Sequence, residues 1–375
     1  MASIQQRPSG AWRARYSDAN GREHARHFQL RRDAQRWLDE VTAAIVTGQY
    51  ADPRAGRVTW AAWISDWLDR QTWADGTYDA ARTAFTSVPW GERPIASVKP
   101  SHVQGWVSGE AKRGLAPSTI RTRLNYVQMA FRAATLDKVI SSSPAAGVKP
   151  PRARKADAAM KLLTIDEVRT VLEHAGDFEA FVAVCVFAGL RLGEAAGLQL
   201  GDVNFLGRSI RVERQVQGST NAGAKLVPPK YGSERTIFVP ADLTATLAAH
   251  VAREGITRPD EMLFRTPLGH LWNRNSAGGE WRRIRKAAHL ADDLTLHALR
   301  HTYASNLIAA GCDVVTVQRS LGHAQPSITL NVYGHLWPSA EDKTRAATAA
   351  FMSAVATTTD SLRTREEKPQ VSGIS

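Results

Sequence analysis

Cysteine is scarce in this chain of 375 residues: there are two, Cys185 and Cys312, too few for a disulfide framework. Cys185 lies inside the apolar run FVAVCVFAG and Cys312 follows a glycine. Both read as reduced packing residues, as a reducing cytoplasm would leave them. Long hydrophobic runs are missing too. FVAVCVFAG falls far short of the roughly 20 apolar residues that cross a bilayer, and MASIQQRPSG carries no hydrophobic signal region. A cytoplasmic protein without a membrane partner is expected. No GxxxxGK loop is present to cradle ATP phosphates, and no carboxylate cluster suits magnesium. Acidic residues are outnumbered, 36 Asp and Glu against 48 Lys and Arg.

That surplus, a formal charge of +12, favours a polyanionic partner, above all nucleic acid. An apolar content of 43% describes a globular chain rather than a disordered one. The length exceeds one core of ordinary size, so two or three domains are expected.

The pattern along the chain divides accordingly. AWRARYSD alternates as a strand does, NGRE is a hairpin turn signal, and HARHFQL alternates again. In the following LRRDAQRWLDEVTAAIVTG, the residues Leu30, Ala34, Trp37, Leu38 and Val41 mark one helical face, which Gly48 stops. Arg13, Arg15, Arg22 and Arg26 dot this small unit and could meet a DNA groove. Residues 57–140 read as mostly helical. Ser118 is a candidate N-cap after Pro117, and Ile120, Leu124, Val127 and Phe131 recur at helical spacing as a core stripe. Arg121, Asn125, Gln128 and Arg132 form a polar stripe on the same helix, either solvated or facing DNA. Residues 146–160 have a linker's composition. Thr164 with Glu167 three residues on forms a capping-box signature before VRTVLEHA. Helices dominate from there, interrupted by a strand-rich insert in which SIRVERQV and ERTIFVP alternate. Residues 356–375 are polar, as a flexible tail would be.

Four places after residue 160 carry chemistry. In AGLRLGEAAGL, Arg191 stands between the end of a buried helix and the start of another, where it can help hold an anion. In LTLHALRHTYASNL, His297 and Arg300 share a helical face, while Tyr303 falls on the buried side. His297 and His301 have zinc spacing, but no glutamate base lies between them and Arg300 does, which argues against a metal reading. PPKYGSERTIFVP places Lys230 near a turn between strands, with Lys225 close by as a rival. LGHAQPSITLNVYGH offers His323 and Tyr333. Together these groups suit a phosphodiester. Two guanidiniums clamp its oxygens, a lysine protonates a departing 5′ oxygen, and a histidine takes the proton of a phenol whose ordinary pKa is about 10. No metal or cofactor is required.

The order and spacing of GLRLGE, PPKYGSERTIFVP, HALRHTYAS, LGH and NVYGH resemble those of the tyrosine recombinases of the phage integrase family. A weaker likeness extends upstream through LAPSTIRTRLNYVQMAFRAA to the start of the chain. The resemblance implies a mainly α protein with small β elements (α+β). Residues 1–50 would be an arm-type DNA-binding domain, a small three-stranded sheet plus a helix. Residues 57–145 would be the helical core-binding domain and 161–355 a mixed α/β catalytic domain, the two closing on the duplex as a clamp. DKTRAATAAFMSAV would be a C-terminal helix docking on a neighbouring protomer. It further implies that Arg191, Lys230, His297, Arg300 and His323 surround the scissile phosphate, with Tyr333 as nucleophile. The lysine's place is the one departure: Tyr231 follows it where many relatives have threonine.

The implied partners are double-stranded DNA with core-type and arm-type sites, a homotetramer of this chain, and a host DNA-bending factor and excisionase. Tyr333 would form a 3′-phosphotyrosine, with rejoining that needs neither ATP nor metal. A type IB topoisomerase shares this chemistry, and a DNA-binding regulator could share the fold without it. The charge generates a first prediction: if six to ten phosphates are contacted, affinity for duplex DNA falls by about 10³–10⁵ between 50 and 200 mM salt. Fluorescence anisotropy across a salt series measures it, and a flat dependence would refute phosphate-driven binding.

Overall fold

The computed structural model describes residues 2–18, 21–48, 50–52, 54–152, 160–337 and 344–355. Asn20 of the expected NGRE turn, most of the 146–160 linker and the 356–375 tail lie outside the described residues. The chain divides into two compact units, Met1–Ala159 and Met160–Ser375.

In the first unit, β1 (Ser3–Gln6), β2 (Trp12–Ser17) and β3 (Glu23–Phe28) form an antiparallel sheet in the order β1-β2-β3. Side chains alternate across it. Ala14 and Tyr16 of β2 therefore face α1 (Arg31–Val46) and bury with its Ala34 and Leu38. Arg13 and Arg15 lie on the opposite face, paired with Glu23 at 3.1 and 3.4 Å. Thr47 caps α1, and Gly48 takes φ +70°, a conformation that only glycine adopts freely.

The rest of this unit is helical: α2 (Trp60–Asp69), α3 (Asp75–Thr86), α4 (Pro100–Lys112) and α5 (Pro117–Leu136). The expected stripe Ile120, Leu124, Val127 and Phe131 is buried, packed with Trp60 and Trp90. Two expectations need correction. The N-cap of α5 is Ala116, not Ser118, because Pro117 occupies the first helical turn, where its fixed φ fits and its missing N–H costs nothing. Gln128 does not belong to an outward polar stripe: its amide donates to the carbonyls of Ala145 and Val148 at 3.2 and 3.1 Å and ties down that segment. Arg121, Asn125 and Arg132 are exposed.

The second unit opens with α6 (Ile165–Ala175), where Thr164 Oγ1 accepts from the Glu167 N–H and Glu167 Oε2 from the Thr164 N–H, the reciprocal box expected. α7 (Glu179–Phe187) is buried almost all round. Its apolar residues centre the main core, against which α8 (Leu192–Ala196), α9 (Ala241–Glu254), α10 (Arg274–Ala287) and α11 (His297–Ala309) contribute. SIRVERQV is not one strand. β5 (Ser209–Val212) joins β4 (Val203–Asn204) and β8 (Arg235–Phe238), whereas β6 (Gln215–Gln217) pairs with β7 (Lys225–Val227) in a separate ribbon. The break comes where Arg214 turns to pair with Asp202 and where Gly193 and Gly197 let α8 approach the backbone of residues 214–216.

α12 (Val314–Leu321) and α13 (Pro326–Tyr333) follow, and with α11 they enclose a second, smaller core of Ala304, Ile308, Val317, Leu321 and Tyr333. Residues 344–355 are helical, with Phe351, Met352 and Val355 exposed. No helix among the described residues is long and apolar enough to cross a membrane.

One backbone position links the two cores. Gly189 has φ +65°, and a Cβ there would lie 2.3 Å from the Tyr303 ring. Gly189→Ala is expected to lose about 1–3 kcal/mol of stability by overpacking alone, before the added cost of positive φ. Urea denaturation measures this; an unchanged midpoint would show that the α7–α11 contact yields freely.

Candidate active site

The site grows from the turn that follows α7. Arg191 has extended backbone angles and caps α8, its N–H donating to Glu194 Oε2 at 3.0 Å. Its Nη1 then donates to Glu194 Oε1 at 2.6 Å. Glu194 is 1% exposed. From β8, Arg235 reaches the same carboxylate, with Nη2 2.9 Å from Oε2 and Nη1 3.2 Å from Oε1. From α11, Arg300 brings Nη1 to 3.9 Å from Oε2. Burial pushes the Glu194 pKa up, but hydrogen bonds and charge from Arg235, then the charges of Arg191 and Arg300, outweigh it and hold the group at about 2. Three cations share one carboxylate, so the cluster keeps a positive surplus that an anion can satisfy.

The same arginines fix the next element. Arg300, 2% exposed, donates to the carbonyls of Gly189 and Leu321. Burial and then the Arg191 charge lower its pKa, yet a guanidinium so bonded stays charged at neutral pH. Arg235 Nε donates to Ser320 O at 2.9 Å, and Arg191 Nη2 to Gly322 O at 3.4 Å. Gly322 ends α12 at φ +61°, where a Cβ would strike Arg235 at 2.8 Å. The turn Ser320–Gly322 is thereby gripped from three sides and presents His323.

His323 Nδ1 lies 2.8 Å from Thr329 Oγ1 of α13, and its ring stacks with Tyr333 at a centroid distance of 6.5 Å. Tyr333 ends α13 and is 1% exposed. Its hydroxyl is 2.8 Å from His301 Nδ1, and the His301 ring meets His297 edge-on at 4.6 Å. Burial raises the Tyr333 pKa to about 12, although the nearby Arg300 and Arg191 charges pull it down. His323 and His297 are each lowered to about 4. Loss of hydration leads in both, followed by Arg300 and Arg191 for His323, and by His301, Arg300 and Arg191 for His297. His297 is nonetheless open to solvent at the first turn of α11.

Five of the residues singled out from the sequence, Arg191, His297, Arg300, His323 and Tyr333, thus meet in one neighbourhood. Lys230 does not join them: it is exposed at the start of a 3-10 turn, Lys230–Gly232, between β7 and β8. No hydrogen bond or ion pair among the described residues ties it to the cluster. Arg13, Arg15, Arg121 and Arg132 belong to the other unit. Three contributors escaped sequence reasoning. Glu194 had a signal, its capping distance from Arg191. Arg235 lies in the alternating ERTIFVP, where nothing local distinguishes it from an ordinary strand residue. His301 shows in the sequence only as an i, i+4 neighbour of His297, a spacing that suggests zinc rather than a contact with a distant phenol.

The family model described as "Phage integrase family" matches residues 161–339, and "Phage integrase, N-terminal domain" matches residues 2–47. The integrase of Mycobacterium phage D29 is 27% identical over 353 residues, 88% of this chain and 91% of its own length. Among solved structures, the Tn1549 transposon integrase in complex with transposon right end DNA superposes with a TM-score of 0.68 at 22% identity, covering 78% of this chain and 99% of that one. A lambda integrase tetramer bound to a Holliday junction gives 0.59 at 18% identity, covering 86% and 96%.

Neutralising Glu194 removes the counter-charge of three arginines. Glu194→Gln should lose about 3–5 kcal/mol at pH 7, the range for breaking a buried ion pair. The sign with pH follows from the depressed pKa. The ionised carboxylate stabilises fully above its ordinary value of about 4.3, and that contribution disappears as pH falls towards about 2. Urea titrations at pH 7 and pH 3 should therefore show the variant's deficit shrinking in acid; a deficit that is absent, or constant with pH, would contradict the role given to the carboxylate.

Proposed function

The chain belongs to the phage integrase family, is a tyrosine-type site-specific recombinase, and on that premise we propose that Tyr333 attacks a phosphodiester of duplex DNA. Arg191 and Arg300 are the clamp on its non-bridging oxygens, and the charge they supply is largest where the pentacoordinate transition state is most negative. What carries this reading is one observation: the Tyr333 phenol lies within reach of the charges of Arg300 and Arg191, two members of an arginine cluster that one carboxylate organises and that keeps a positive surplus. Attack yields a 3′-phosphotyrosine and a free 5′ hydroxyl. The ester is preserved in the enzyme–DNA bond, so a second 5′ hydroxyl can reverse the step on a new partner strand without ATP or metal. Lys230, on its exposed turn, closes onto bound DNA and protonates the leaving 5′ oxygen. His323 orients the phosphate, and His297 stands at the entrance.

The remaining parts take roles that fit their surfaces. The sheet face bearing Arg13 and Arg15 meets arm-type DNA, exchanging the intramolecular Glu23 pairs for phosphates. The exposed stripe of α5, with Arg121 and Arg132, meets the core site. Residues 146–160 connect the core-binding part to the catalytic part. Four copies act together, as in the lambda integrase tetramer on a Holliday junction, and a host DNA-bending factor and an excisionase set direction. The cytoplasm, where the DNA is, is the place of action.

A nicked suicide substrate, which loses the fragment needed for religation, tests the assignment. The intact protein should accumulate a covalent DNA adduct in denaturing gels. Tyr333→Phe should give none while binding DNA as before; adduct formation by that variant would transfer the nucleophile elsewhere.

A further inference from the structure

Two histidines, His301 and His323, meet the Tyr333 ring and a third, His297, meets His301, and they are not equivalent. His323 has its Nδ1 engaged by Thr329 at 2.8 Å and offers Tyr333 only a ring face. His297 touches the His301 ring, not the phenol. Among the described residues, His301 is the histidine that hydrogen-bonds the hydroxyl, Nδ1 to Oη at 2.8 Å. We propose that His301 is a further catalytic residue, whose Nδ1 takes the Tyr333 hydroxyl proton as the phenolic oxygen attacks phosphorus. The inference rests on the assignment of Tyr333 as nucleophile.

The geometry suits the task. His301 follows Arg300 directly on α11, so the base and the guanidinium are carried by one rigid helix on which Tyr333 also packs through the small core. A base within 2.6–3.2 Å of the proton it removes meets the distance requirement. Accepting at Nδ1 requires the tautomer with hydrogen on Nε2. Burial, and then the Arg300 charge, lower the pKa of His301, which keeps the ring neutral and its lone pair available at neutral pH. A phenol whose own pKa is raised by burial cannot ionise unaided there. The step balances: the Oη–H electron pair becomes the Oη–P bond, the proton passes to Nδ1, the P–O5′ bond breaks, and O5′ takes a proton from Lys230. Rejoining runs the same transfers backwards, with the His301 imidazolium returning its proton to the departing phenolate.

The test is single-turnover adduct formation on the suicide substrate, with tyrosine or 3,5-difluorotyrosine at position 333. His301→Ala should slow adduct formation by about 10²–10⁴-fold, the range for general base catalysis, with DNA affinity unchanged. The fluorinated phenol is more acidic and leans less on a base, so it should restore His301→Ala by tenfold or more and change the parent protein little. His301→Asn keeps size and polarity without a usable base; it should fall and recover in the same way, and it serves should the alanine variant not fold. A parent-like rate in both variants, or a loss that the acidic phenol does not relieve, overturns the proposal. Tyr333→Phe run alongside separates the two levels. Adduct formation there defeats the nucleophile assignment, whereas its absence together with unimpaired His301 variants defeats the base alone.

Discussion

A single buried carboxylate organises the candidate site of the second unit. Glu194 is surrounded by Arg191, Arg235 and Arg300, drawn from a turn, a strand and a helix that are distant in sequence. Placing so many charges inside a protein is unfavourable unless each is paired and hydrogen-bonded, and here further guanidinium N–H groups donate to the backbone carbonyls of Gly189, Ser320, Leu321 and Gly322. Those carbonyls belong to the turns that carry Arg191 and His323. The electrostatic centre and the shape of the site are therefore one structure: loosen the carboxylate and the arginines repel, the turns drift, and the histidines lose their register.

The proposed nucleophile is held differently. Tyr333 belongs to a small apolar core with Ala304, Ile308, Val317 and Leu321, and almost none of it is exposed. Burial keeps its phenol protonated at neutral pH, a form that is a poor nucleophile. The proposed reaction has two requirements: a phosphate that brings the transition state to the arginine cluster, and a base such as His301, whose Nδ1 already contacts the hydroxyl. Both requirements restrict cleavage to a properly seated substrate, which suits a protein whose covalent intermediate is a broken DNA strand.

Much of this was legible beforehand. The core stripe of α5, the box at Thr164 and the all-apolar α7 follow from spacing and capping rules that act over a few residues, and they appear as expected. Five site residues could be named because their motifs stand in a family order. What stayed hidden depends on tertiary approach. Arg235 sits in an alternating strand and differs from a solvated arginine only because Glu194 lies 2.9 Å away. His301 gains its meaning from a phenol 32 residues further on. SIRVERQV looked like one strand since nothing local records that Arg214 turns to Asp202. Gln128 looked outward because the carbonyls it holds belong to a segment that returns from Ala145 to Val148.

The central claim is that the phenol of Tyr333 becomes the DNA-linked atom. It is tested most directly by digesting the trapped adduct with trypsin and nuclease and sequencing the nucleotide-bearing peptide by mass spectrometry. The account predicts a single modified peptide, the one running from Ser320 to Lys343, with the phosphonucleotide on Tyr333. A nucleotide on Tyr303, on any other residue, or on no peptide at all would contradict it.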